Sequence, residues 1–111
     1  MKPILIADWK EKVVFSADGP KPQPLVVTDR LKAVLVGLEP GQKIPAHAAP
    51  LAVYHFLEGT GWMLVDGERL LVQTGATVVV PEGVVRGVEA DTQLAFLGTH
   101  RGETETEVSH A

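Results

Sequence analysis

The stretch Phe56-Leu57-Glu58-Gly59-Thr60-Gly61-Trp62-Met63-Leu64-Val65-Asp66-Gly67-Glu68-Arg69-Leu70-Leu71-Val72 holds three short apolar runs separated by two tight turns. Asp66-Gly67 leaves two residues to reverse the chain, and a type I′ hairpin turn needs positive φ at both, which suits this pair. Glu58-Gly59-Thr60-Gly61 makes a second tight connection. Strands joined this closely must pair antiparallel, because a parallel pair needs a crossover of a dozen or more residues.

The same grammar extends in both directions. Short apolar runs recur at 13–15, 25–28, 31–38, 51–57, 62–65, 70–72, 76–80, 84–88 and 94–99, with further turns at Pro40-Gly41 and Pro81-Glu82-Gly83. With 11 glycines and 8 prolines, no window of a dozen residues shows apolar spacing of helical period without interruption. The chain reads as all-β, and that many antiparallel strands close into a barrel or pack as two sheets to hide their edges. Residues 1–24 carry too much proline for a central strand and read as an N-terminal arm or edge. Residues 25–101 form the barrel. The segment 102–111 reads as a charged tail or edge strand.

Composition excludes several classes. The 111 residues suit one domain, and 45% apolar content supports a core without staples. A formal charge of −4 gives no electrostatic footprint for nucleic acid. No apolar run approaches the ~18 residues of a membrane helix, and the opening residues lack a signal-peptide core, so the expectation is a cytoplasmic protein without membrane partners. The absence of cysteine removes disulfides, thiolate metal sites and thiol nucleophiles. Ser16 is near one end of the chain and Ser109 near the other, which gives no basis for a serine-histidine-acid arrangement. The glycines follow turns and do not form a phosphate-binding loop.

Two segments carry a resemblance. Pro40-Gly41-Gln42-Lys43-Ile44-Pro45-Ala46-His47, followed by Phe56 to Gly61 and Val65-Asp66-Gly67-Glu68, resembles the first cupin motif. Gly75-Ala76-Thr77-Val78-Val79-Val80-Pro81-Glu82-Gly83-Val84-Val85-Arg86 resembles the second. The resemblance implies an antiparallel cupin or jelly-roll β-barrel (a double-stranded β-helix) with a pocket. It also implies four metal ligands, of which one survives. His47 stands at the first histidine, while Ala49, Ala52 and Arg86 stand at the second histidine, the glutamate and the last histidine.

His47 can ligate a metal, shuttle a proton or bond a ligand. A divalent transition metal needs three or four protein ligands, however, and alanine supplies none. The expectation is therefore no cofactor, with a metal at His47 as the alternative. Arg86 has five donors and no acceptor lone pair, so it suits a carboxylate or phosphate and not a metal. Its competing reading is an exposed arginine at the barrel mouth, paired with Glu82 or Glu89. Tyr54 and Trp62 join His47 and Arg86 as candidate pocket residues, with core packing as the plainer role for aromatics. If the strand from Ala52 runs without a bulge, Ala52, Tyr54 and Phe56 face one way and His55 the other.

Two functions follow. One is a binding module holding a small, acidic molecule without the usual metal centre. The other is a metal-dependent oxygenase or isomerase using His47 and non-standard ligands. The resemblance also implies a homodimer formed through sheet edges and arms.

Overall fold

The computed structural model describes residues 1–102. The expected tail lies almost entirely outside the described residues. Among the described residues nine strands follow a 3-10 turn at Trp9–Glu11: β1 Gln23–Val27, β2 Lys32–Leu38, β3 Lys43–His47, β4 Ala52–Glu58, β5 Thr60–Val65, β6 Glu68–Gln73, β7 Thr77–Val80, β8 Arg86–Ala90 and β9 Leu94–His100. They form a five-stranded sheet in the order β1-β2-β9-β4-β7 and a four-stranded sheet in the order β3-β8-β5-β6. Every pairing between strands is antiparallel. The two sheets face each other as a jelly roll and do not close into one continuous barrel, so the expected barrel is a two-sheet sandwich.

The hairpin that decides the fold behaves as its residues require. Asp66 takes φ 50° and Gly67 φ 83°, both in the left-handed region, and β5 and β6 then pair from Val65↔Glu68 to Thr60↔Gln73 without a break. Inward positions of both sheets meet in one core, with Val34, Val36, Leu38, Tyr54, Phe56 and Phe96 from the larger sheet against Met63, Val72 and Val88 from the smaller. Phe96 binds this core together, its ring 5.4 Å from that of Phe56 and edge-on to Tyr54 at 6.0 Å. Burying such side chains contributes roughly 1.5–3 kcal/mol each.

Three local readings differ from the sequence pattern. Residues 13–15 are not a strand; they lie across the outer face of β2, where a side chain on Gly37 would come within 2.6 Å of the Val14 carbonyl. The run at 84–88 begins its strand only at Arg86, because residues 81–84 close a turn through Val84 N–H to Pro81 O. Lys43–His47 is a strand although its alternation is masked by Lys43, Pro45 and His47.

Candidate functional site

The backbone brings the motif positions to one end of the sandwich. In the smaller sheet, His47 of β3 lies opposite Arg86 of β8, which lies opposite Val65 of β5. In the larger sheet, the row at the same end reads Val80, Ala52, His100, Lys32 across β7, β4, β9 and β2.

His47 reaches its inward position through a bulge. Ile44 pairs with Val88 and His47 with Arg86, so three steps along β3 match two along β8. Without the extra residue, strict alternation would turn Ala46 inward and His47 outward. Gly87 makes the bulge possible, since an added Cβ there would lie 2.8 Å from the Ile44 carbonyl and 3.0 Å from Ala46 N. The half-buried imidazole directs Nδ1 to the Pro45 carbonyl at 2.9 Å, and because a carbonyl only accepts, Nδ1 carries the hydrogen.

Arg86 is buried, with 1% of its surface exposed. Its Nε donates to Val84 O at 2.8 Å. One terminal nitrogen, Nη1, donates to Pro50 O at 2.9 Å and to the Tyr54 hydroxyl at 3.1 Å. The other, Nη2, donates to Ala49 O at 3.1 Å and Pro81 O at 3.0 Å. Those are five bonds from five N–H groups, which is the whole capacity of a guanidinium. Arg86 therefore ties two connections together: the β3–β4 connection at Ala49-Pro50 and the β7–β8 connection at Pro81 and Val84.

This arrangement corrects two readings of Arg86. It is not an exposed mouth residue paired with Glu82 or Glu89: Glu82 lies 3.5 Å from Arg101, and Glu89 lies beside Lys43 and Arg69 on the outer face. Nor does it offer an open fork to a ligand, because every donor already has a protein acceptor. All five acceptors are neutral, however, so the buried positive charge has no counter-ion among its partners.

Tyr54 faces inward beside Arg86, and Ala52 and Phe56 share its face, as the alternation requires. His55 points the other way, with Nδ1 2.8 Å from Thr77 Oγ1 on the exposed side. Trp62 is the candidate that the structure separates from the others. Met63 is buried in the core, so its neighbour Trp62 faces outward, where the Arg69 guanidinium stacks over its ring at 4.3 Å. Its place in the pocket is withdrawn: the run Trp62 to Val65 is apolar at every position, so it does not itself mark an outer face.

A transition metal does not fit this donor set. Ala49 and Ala52 have no ligating atom, Arg86 has no lone pair, and among the described residues no three His, Asp or Glu side chains are grouped as metal ligands. Sequence reasoning passed over two buried basic residues at this end, Lys32 and His100, with 9% and 6% exposure. The signal for Lys32 was present, since it stands two residues before the alternating core positions Val34, Val36 and Leu38.

Sandwich topology and motif order together define a jelly roll, and the comparisons agree on that fold. The cupin domain family matches residues 34–98, and the chain belongs to that family. A conserved protein of unknown function from Streptococcus pyogenes superposes with a TM-score of 0.81 at 24% identity, over 94% of this chain and 92% of that one. An RmlC-like cupin from Desulfovibrio desulfuricans gives 0.75 at 26% identity over 89% and 94%. Salicylate 1,2-dioxygenase from Pseudoaminobacter salicylatoxidans, solved with gentisate, gives 0.68 at 23% identity; 75% of this chain is covered but 25% of the dioxygenase. No curated protein matches the chain in sequence.

Proposed function

We propose that the protein is a binding cupin that holds a small acidic molecule at this end of the sandwich without the usual metal centre. The observation that carries the reading is the guanidinium of Arg86, buried at the last motif position with five neutral partners and no carboxylate. A charge removed from water and left without a counter-ion projects its field through a poorly screening interior, and that field favours an anion nearby. Arg86 would act on the ligand through space, with Tyr54 holding the guanidinium and His47 at the register position opposite it.

The reading is tested by NMR titration of the protein with small carboxylic acids, each paired with its uncharged amide. Binding of acids with no response to the amides is expected. Equal response to both, or response to neither, contradicts it.

A further inference from the structure

The larger sheet contributes a second buried cation to the same end. Lys32 opens β2 in line with Val34, Val36 and Leu38, all of which face the core, so alternation turns its side chain inward. Nine-tenths of its surface is buried. Among the described residues its ammonium has neither a hydrogen-bond acceptor nor a carboxylate partner, whereas lysine is almost never buried unless paired. Directly opposite on β9 stands His100, also buried, whose Nδ1 lies 2.6 Å from Arg101 O. Opposed residues of an antiparallel pair have Cα atoms about 4.5–5.5 Å apart, so Lys32 and His100 present neighbouring side chains. One strand further along the row is Ala52, and immediately before it the Ala49-Pro50 carbonyls receive Arg86.

From this we infer that Lys32, with His100 beside it, is the direct anchor for a small oxyanion, a carboxylate or a phosphate, held between the two sheets' end rows. The inference rests on the binding reading above and names the group that touches the ligand. The division of labour follows from donor counts. Arg86 has no N–H to give, while Lys32 has three hydrogens and no acceptor. An incoming oxyanion supplies Lys32 with the missing acceptor and a counter-ion. Lys32 and His100 lie just outside the matched stretch 34–98, at the adjoining ends of β2 and β9.

The test uses the full chain, titrated separately with acetate and inorganic phosphate and followed by NMR shifts of the histidine rings. Wild type, Lys32→Met and Lys43→Met are compared; Lys43 is an exposed residue already beside Glu89 on the outer face. Saturable binding by wild type and Lys43→Met is expected, with affinity lowered roughly tenfold or more in Lys32→Met, as for loss of a charge-assisted bond. The arm that saturates at lower concentration identifies carboxylate or phosphate as the ligand group. Should Lys32→Met fail to fold, Lys32→Gln keeps the polar stem and replaces the charge, with the same expectation. Equal binding by wild type and the Lys32 variant overturns the anchor and leaves the binding reading standing. No binding of either anion by wild type overturns both.

Discussion

Two buried cations stand in the end rows of this sandwich, Arg86 in the smaller sheet and Lys32 in the larger, and they differ in one respect. Arg86 is saturated with five protein acceptors, and Lys32 has none among the described residues. Burial alone therefore does not say what a charged side chain is for. A satisfied cation holds loops in register, and removing it orphans its partners; an unsatisfied one weakens the fold until something arrives to pair with it.

The contrast predicts opposite outcomes for similar substitutions. Arg86→Met removes the donor from four part-buried carbonyls and from the buried Tyr54 hydroxyl, with Ala49 O and Pro81 O keeping backbone donors from Gly83 and Val84, and a loss of about 3–5 kcal/mol is expected in urea denaturation. A loss under about 1 kcal/mol would mean that the network is replaceable by water and that the contrast is false. Tyr54→Phe removes one acceptor from Nη1 and should cost about 1.5–3 kcal/mol, the range for bonds to charged groups. Lys32→Met keeps the apolar stem and deletes an unpaired charge, so in anion-free buffer it should be neutral or stabilising by about 1 kcal/mol. A loss of stability as large as that for Arg86 would show that Lys32 is structural as well.

The fold was legible because turns and parity are local. Asp66-Gly67 demands a hairpin wherever it lies between apolar runs, and the uninterrupted register from Ala52 to His55 lets alternation separate Tyr54 from His55. The site was only partly legible. His47 faces inward through a bulge that depends on Gly87 in another strand, a relation between residues forty apart. The burial of Arg86 depends on carbonyls from two connections, and carbonyls carry no side-chain signature. In β5 the order Trp62-Met63-Leu64-Val65 is apolar at every position, so parity could not choose which residue faces out; the pairing with β6 and β8 decided it. Lys32 was overlooked because a lysine at the start of a strand is ordinarily a solvated residue.

The central claim is that this cupin's end row is built around a guanidinium, with no group of metal ligands among the described residues. Its most direct test is elemental analysis of the folded protein, purified without chelator and then incubated with zinc, iron(II) or manganese and desalted. The account predicts far less than one metal per chain and an unchanged melting temperature. Retention of about one transition metal per chain, with a rise in melting temperature that His47→Ala abolishes, would contradict it.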